Sequence, residues 1–229
     1  MLKVITDFPL AAESDDHKHP EGIYYDNNLS MEFYDSLSNY YGFHHERKIN
    51  FMDLGCAGGE LVCHLHRKGH TAIGLEGSDH CLNLREEMVE EVGFVPVGYA
   101  NWQEFGNKIL FTCDVTKPYQ VLNDGAPYKC DLISCWDVIE HFDESDLDTY
   151  FNMVIKHMKD ENSLFISTIH MGESGRHTSS KNTPDNLNYH KCIHDRPWWK
   201  DKLSEYFSLV EYPFTCSNRG EPKGHSNIF

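Results

Sequence analysis

Residues 51–60 read FMDLGCAGGE, and this stretch decides the fold. The apolar run around it predicts a short strand over residues 48–54, and residues 60–68 predict a helix that ends at Gly69. The glycines between them predict a tight turn, where backbone can approach a ligand closely. The spacing is neither the G-x-G-x-x-G of a dinucleotide grip nor that of a P-loop, which needs a following Lys and Ser or Thr. It is D-x-G-x-A-x-G, beginning at Asp53.

The same alternation of strand and helix continues along the chain. Apolar runs predict further strands at residues 70–75, 109–113, 131–135, 164–169, 208–214 and 226–229, and helical spacing predicts helices at 29–45, 79–92, 146–158 and 197–207. Strands that alternate with helices indicate an α/β fold with a mostly parallel sheet covered on both faces. Such sheets bind their ligands at the carboxyl ends of the strands.

The length of 229 residues suits one α/β domain. Residues 1–29 are polar and are interrupted by Pro and Gly, which predicts an irregular N-terminal arm ahead of a domain over residues 30–229. Insertions are expected near residues 93–108 and 171–195. We expect the arm to act as a lid over the substrate.

Three acidic residues follow successive predicted strands. Asp53 ends the first strand, and Glu76 and Asp114 come just after the second and third. Carboxylates there can accept hydrogen bonds from ribose hydroxyls, as in dinucleotide folds, and Asp114 could accept one from an exocyclic amine. Three ordered acids suit a cationic cofactor that carries a nucleoside but no phosphate, which favours S-adenosylmethionine over NAD. The alternative is that each acid only caps a strand end.

Residues 131–141, DLISCWDVIEH, add a fourth motif. With the glycine turn, Glu76 and Asp114 in the same order and spacing, the chain from about residue 30 onward resembles class I S-adenosylmethionine-dependent methyltransferases. Ala57 is a departure, because that family usually has glycine there. The resemblance implies a Rossmann-like three-layer sandwich with a mostly parallel sheet of about seven strands. It also implies cofactor contacts at Asp53, Gly55, Cys56, Ala57, Gly59, Glu76, Gly77, Ser78, Asp114, Val115 and Trp136.

The fourth motif also holds candidate catalytic groups. Asp137, Glu140 and His141 form D-x-x-E-H, and one helical turn would bring these side chains together. The pattern is similar to small-RNA 2′-O-methyltransferases, in which E-x-x-E-H and a later histidine bind Mg²⁺, and to ubiquinone-pathway O-methyltransferases. His190 takes the place of the later histidine in the first comparison.

Three interpretations of this cluster stay open. A Mg²⁺ or Mn²⁺ ion bound by Asp137, Glu140, His141 and His190 would lower the pKa of a substrate hydroxyl. Without a metal, His141 or His190 would serve as the general base, with Asp137 as a further catalytic candidate, because histidine titrates near neutral pH. In the third interpretation Glu140 and His141 only begin a helix, as in metal-free members of the superfamily.

The composition indicates which binding partners and which cellular compartment are expected for this chain. Lys and Arg number 20 against 36 Asp and Glu, a formal charge of −16 that repels nucleic-acid backbones and anionic lipid. No run approaches the roughly 18 apolar residues of a membrane span. The eight cysteines contain no C-x-x-C pair, so we expect a reducing, cytoplasmic compartment.

The sequence therefore predicts an S-adenosylmethionine-dependent methyltransferase that methylates an oxygen of a small polar or sugar-type acceptor. Transfer would rely mainly on proximity and orientation of the reacting groups. One alternative is a metal-dependent RNA 2′-O-methyltransferase, which the negative charge opposes. A second alternative is a non-enzymatic S-adenosylmethionine-binding module. The sequence makes no prediction about the oligomeric state.

Overall fold

The computed structural model describes residues 1–18, 31–83, 97–171, 189–210 and 226–228. The strands are β1 (Leu2–Thr6), β2 (Asn50–Leu54), β3 (Thr71–Glu76), β4 (Leu110–Thr112), β5 (Tyr119–Asn123), β6 (Ala126–Pro127), β7 (Leu132–Trp136), β8 (Leu164–His170) and β9 (Ser226–Ile228). The α-helices are α1 (Asp15–Lys18), α2 (Met31–Tyr41), α3 (Glu60–Arg67), α4 (His80–Asn83), α5 (Val97–Phe105), α6 (Leu147–His157) and α7 (Arg196–Ser204). Short 3-10 turns lie at Phe43–His45, Ile139–His141 and Glu144–Asp146.

The main sheet has the strand order β4-β3-β2-β7-β8-β9. The first five of these strands are parallel, and β9 joins β8 antiparallel. Asp53 in β2 lies beside Gly74 of β3 and Ser134 of β7, so the carboxyl ends of these strands share one edge. Helices flank the sheet, and β2 is buried between its two neighbours. This confirms the predicted α/β class with a mostly parallel sheet.

The strand count needs correction, because we predicted about seven strands and the described residues contribute six to this sheet. The difference lies at predicted strand 208–214. Residues 208–210 form no strand, and residues 211–214 lie outside the described residues. Leu209 and Val210 are exposed, so their apolar character reflects no buried strand.

The sequence predicted an irregular N-terminal arm, but part of the arm forms a strand. β1 pairs antiparallel with β5, and β5 continues to β6 through a turn, giving a second, three-stranded sheet. Asp124 and Gly125 in that turn both have positive φ, 50° and 82°, as a two-residue hairpin turn requires. The prediction failed because β1 is short and its partner lies more than 110 positions later in the chain. The domain boundary at residue 30 stays a prediction.

The two expected insertions are only partly visible. Within residues 93–108, the described part contains the helix α5 in place of an irregular segment. Of residues 171–195, positions 172–188 lie outside the described residues, as do 84–92 of the second predicted helix. Across the part of the chain that the structure describes, no helix combines the length and apolarity needed to cross a bilayer.

Candidate active site

The glycine turn is anchored to the neighbouring strand. The backbone N–H groups of Gly55 and Cys56 both donate to the carbonyl of Leu75, at 2.8 and 3.1 Å. Gly55 has φ 74°, and a Cβ placed on it would lie 2.4 Å from Cγ2 of Val138. Ala57, the departure from the usual glycine, has φ 45° in the same left-handed region. The turn is therefore a tight backbone cradle at the carboxyl edge of the sheet.

Glu76 holds the cradle from the end of β3. Its two carboxylate oxygens accept hydrogen bonds from the backbone N–H groups of Ala57, at 2.8 Å, and Ser78, at 3.1 Å. Burial raises the pKa of Glu76 to about 6, against the opposing effect of these N–H donors. The sequence predicted Glu76 as the ribose-binding acid, and the structure puts it between the glycine turn and residues 77–78.

Helix α5 braces the other side of the cradle. The indole Nε1 of Trp102 donates to the carbonyl of Ala57 at 2.8 Å, and Asn101 Nδ2 donates to the carbonyl of Gly58 at 3.1 Å. Gly98 packs so closely that a Cβ there would meet Gly58 Cα at 2.5 Å. Sequence reasoning assigned no role to Asn101. The sequence marked Asn101 only as a polar residue beside a tryptophan, in a segment that was predicted to be an insertion.

The other predicted cofactor residues lie along the same edge. Asp53 is buried and its Oδ1 accepts from Ser134 Oγ at 2.6 Å. Asp114 accepts from the backbone N–H and the hydroxyl of Thr116, at 3.0 and 2.6 Å, through Oδ1. Trp136 ends β7 and meets Phe33 of α2 edge to face, with ring centroids 5.0 Å apart. The remaining members of the set, Cys56, Gly59, Gly77, Ser78 and Val115, lie next to these residues in the chain.

Buried acids and a tight backbone cradle at one edge suit S-adenosylmethionine, because its nucleoside offers hydroxyl donors and its sulfur is cationic. The fit rests on Glu76 and Asp53, which are nine-tenths or more buried and lie on adjacent strand ends.

Beyond β7 the chain brings Glu140, His141 and His190 together. One ligand atom from each lies within 4.8 Å of the others. The rings of His141 and His190 meet edge to face at 4.7 Å. Asp137 lies outside this group of converging atoms. Its backbone N–H donates to the carbonyl and the hydroxyl of Thr168 on β8, and it has φ 52°.

Glu140 is fully buried. Its Oε1 accepts from the backbone N–H of His170 at 3.0 Å, whereas Oε2 finds no hydrogen-bond partner among the described residues. Burial raises the pKa of Glu140 to about 7, since the charged form is poorly solvated there. The backbone carbonyl of Glu140 accepts from the N–H groups of Lys191 and Cys192, which ties the two chain segments together.

Asp16 belongs to the N-terminal arm that the sequence predicted as a substrate lid, but the sequence did not predict its contact with His141. Its Oδ2 lies 2.8 Å from Nδ1 of His141. Burial lowers the pKa of His141, but the carboxylates of Asp16, Glu140 and Asp137 outweigh it and raise the pKa above its ordinary value. The imidazole is therefore held by an acid from the N-terminal segment.

The N-terminal segment, residues 8–16, crosses the carboxyl edge to reach this point. The carbonyl of Phe8 accepts from the Asp114 N–H at 2.9 Å, and the N–H of Ala11 donates to the Gly77 carbonyl at 2.8 Å. With the contact from Asp16 to His141, the segment links the cofactor cradle to the histidine cluster.

The donor set can be compared with metal preferences. One carboxylate oxygen and two imidazole nitrogens suit Mn²⁺ better than Mg²⁺, which prefers oxygen ligands. Glu140, His141 and His190 would hold such an ion, and Asp137 is not among the converging ligands.

Sequence comparison assigns the class. A family model described as a methyltransferase domain matches residues 25–207, more than half of the chain. The chain therefore belongs to the methyltransferase-domain family, within the class I S-adenosylmethionine-dependent superfamily that the motifs predicted. No curated protein matches the chain.

Three solved structures are similar to this chain, and the first of them shows the same fold. An S-adenosylmethionine-dependent methyltransferase from Clostridium acetobutylicum ATCC 824 is 16% identical, covering 88% of this chain and 91% of that one, with a TM-score of 0.52. Magnesium protoporphyrin IX methyltransferase from Synechocystis PCC 6803 is 18% identical over 92% and 91%, with a TM-score of 0.46. The PH0226 protein from Pyrococcus horikoshii OT3 is 20% identical over 65% of this chain, with a TM-score of 0.39. The match spans only 62% of the Pyrococcus protein.

Proposed function

We propose that this chain transfers the methyl group of S-adenosylmethionine to a hydroxyl oxygen of a small polar acceptor, such as a sugar. The observation that carries the proposal is the contact of 2.8 Å between Asp16 and His141. His141 lies just beyond β7, which is the neighbour in the sheet of β2, the strand that leads into the cofactor cradle. An imidazole held by a carboxylate suits proton abstraction from an alcohol.

Each residue then has a distinct role. Asp16 accepts a hydrogen bond from Nδ1–H of His141, which leaves Nε2 as the basic atom that takes the acceptor's hydroxyl proton. The negative charges of Asp16, Glu140 and Asp137 stabilise the imidazolium that forms. His190 packs against His141 and is the second candidate base.

The residues on the cofactor side bind and orient the cofactor. S-adenosylmethionine, when bound, supplies a methyl group on a positively charged sulfur and leaves as a neutral thioether. Glu76 and the cradle at residues 55–59 fix the nucleoside end, and residues 8–16 restrict access of water along the edge. Orientation then accounts for most of the rate.

A metal-assisted version of the same reaction is the second candidate. It is favoured by the convergence of Glu140, His141 and His190 within 4.8 Å and by the unpartnered Oε2 of Glu140 among the described residues. A bound Mn²⁺ would supply a Lewis acid that lowers the pKa of the acceptor hydroxyl.

The acceptor is proposed to be small because the net charge of −16 opposes a polyanion such as RNA. We place the reaction in the cytoplasm, in keeping with the lack of a C-x-x-C pair in the sequence and with the burial of the seven described cysteines.

The test uses the full chain, methyl-labelled S-adenosylmethionine and fractionated pools of small metabolites. We expect label to enter one acceptor as a methyl ether. His141→Asn should reduce the rate by about 100-fold or more while leaving cofactor binding, measured by calorimetry, close to wild type. His44→Asn, at an exposed histidine, is the matched control.

Three results would contradict the proposal. These are label on nitrogen or carbon, equal rates in both histidine variants, or label in RNA with a steep loss of binding as salt rises. Treatment with a chelator separates the two versions of the chemistry. Unchanged activity supports the histidine base, and activity that is lost and then restored by Mn²⁺ supports the metal.

A further inference from the structure

A second group of metal-ligating side chains lies beside the first, on the same two chain segments. Glu144, Cys192 and His194 offer a carboxylate, a thiol and an imidazole whose ligand atoms lie within 4.8 Å of one another. Nε2 of His194 is 3.0 Å from Oε2 of Glu144. We propose that these three residues bind a Zn²⁺ ion, which fastens the segment 189–195 to the 3-10 turn at residues 144–146.

The donor set fits zinc by its chemistry. Zn²⁺ binds sulfur, imidazole nitrogen and carboxylate oxygen together at about 2.0–2.3 Å in tetrahedral geometry. Ligand atoms at the corners of such a tetrahedron are about 3.5 Å apart, so a small rotation of the side chains brings the three donors to these distances. Water fills the fourth position. Binding exchanges the thiol proton of Cys192 for a zinc–sulfur bond, and the proton leaves to solvent.

Two of the three ligands are already held in place. The ring of His194 stacks on Trp198 with centroids 3.6 Å apart and planes 11° from parallel. The N–H of Cys192 donates to the carbonyl of Glu140 at 2.9 Å, and the side chain is buried. Glu144 is exposed and supplies the freedom needed to close the site. A site with two fixed ligands and one adjustable ligand loses little conformational entropy when it binds an ion.

The spacing links this outer cluster to the inner one. Residues 140–144 read E-H-F-D-E, and residues 190–194 read H-K-C-I-H. Glu140, His141 and His190, at the start of the two segments, form the inner cluster. Glu144, Cys192 and His194, which come later in the same segments, form the outer cluster. An ion on Glu144, Cys192 and His194 would therefore hold His190 against His141. The zinc site is independent of which acceptor the enzyme uses, and of whether the inner cluster takes a metal.

Cobalt substitution gives a direct test, because a thiolate bound to Co²⁺ has a charge-transfer band in the near ultraviolet that the inner cluster, which lacks sulfur, cannot produce. The full-length protein is stripped with a chelator and titrated with Co²⁺, and then with Zn²⁺ in competition. We expect one equivalent of tetrahedral Co²⁺ to give the thiolate band, whether or not the inner cluster also takes Co²⁺, and we expect Zn²⁺ to remove the band by displacing that ion.

Variants assign the site. Cys192→Ala should abolish the band, and Glu144→Gln, a surface change that leaves the core intact, should weaken Zn²⁺ binding at least about tenfold. Cys130→Ala, at the opposite end of β7, is the matched control and should retain the band. Absence of Co²⁺ binding, a spectrum without the thiolate band, or a band that persists in Cys192→Ala would overturn the proposal. Because every readout is metal binding, the result stands apart from any measurement of methyl transfer.

Discussion

Asp16 and His141 are 125 positions apart in the sequence, and their side chains lie 2.8 Å apart. This contact brings a carboxylate from the N-terminal segment onto the imidazole at the end of the fourth parallel strand. The contact contributes both to the charge of the imidazole and to the position of residues 8–16. The consequences can be measured separately.

Asp16→Asn should move the pH–rate profile. The Asp16 carboxylate helps to raise the pKa of His141, and only the neutral imidazole can accept a proton. Its removal lowers that pKa, so the acid limb of the profile shifts to lower pH, while the maximal rate falls by roughly tenfold because the ring loses its orienting partner. Asp15→Asn, one position earlier, should leave the profile unchanged. A profile that moves to higher pH would contradict the assignment.

Glu140 makes stability depend on pH. Its pKa rises from 4.5 in the unfolded chain to about 7 in the folded one, so the folded state holds the proton more tightly across that interval. Stability must then fall as pH rises through the interval, by at most about 1.4 kcal/mol per pH unit for this group. The smaller rise at Glu76 acts in the same direction.

Glu140→Gln should flatten this dependence, because the amide keeps the acceptor for the His170 N–H and carries no charge. Urea unfolding at the two ends of the interval measures it, and Glu161→Gln, at an exposed site, should follow the wild type. Equal slopes in all three proteins would show that Glu140 ionises normally.

Glu76→Ala should impair both folding and cofactor binding. The change leaves the buried N–H groups of Ala57 and Ser78 without their acceptor, at a cost of about 2 kcal/mol or more. Calorimetry should show S-adenosylmethionine binding weakened at least about tenfold. Glu104→Ala removes only an exposed ion pair with Arg67 and should change stability by less than about 1 kcal/mol. Binding that is indistinguishable from wild type in Glu76→Ala would remove this residue from the cofactor site.

Trp102→Phe tests whether α5 supports the cradle. Phenylalanine keeps most of the buried surface but cannot donate to the Ala57 carbonyl, so we expect a loss of about 1–2 kcal/mol in unfolding free energy and weaker cofactor binding. Trp198→Phe, which keeps an aromatic ring against His194, should bind the cofactor as wild type does. The idea fails if Trp102→Phe loses stability but binds the cofactor normally.

The sequence could predict the parallel strands well because they are buried and apolar. Strands β2, β3, β7 and β8 all lie within a residue or two of their predicted positions, since continuous apolar runs bounded by turn residues are typical of parallel strands. The family membership followed from the same elements, through the glycine turn and the acids at the strand ends.

The small sheet and the Asp16 contact could not be predicted in the same way. β1 and β5 are short and meet only in the folded chain, and a carboxylate in a polar segment carries no local sign of its partner. The contact of Trp102 could not be predicted for a similar reason, since its partner is a backbone carbonyl, a group that every residue has. In each case the information lies in long-range geometry, not in periodicity.

The pairing of β1 with β5 also bears on the order of events during synthesis. During synthesis β1 cannot pair with β5 until residues 119–123 have emerged, and Asp16 cannot contact His141 until residue 141 follows. A nascent chain that ends before residue 141 contains the glycine turn but lacks the contact between Asp16 and His141. Its unpaired strands are then exposed to association with other chains. Ribosome-bound fragments ending on either side of residue 141, with enough extra chain to clear the exit tunnel, should therefore differ sharply in their resistance to proteases.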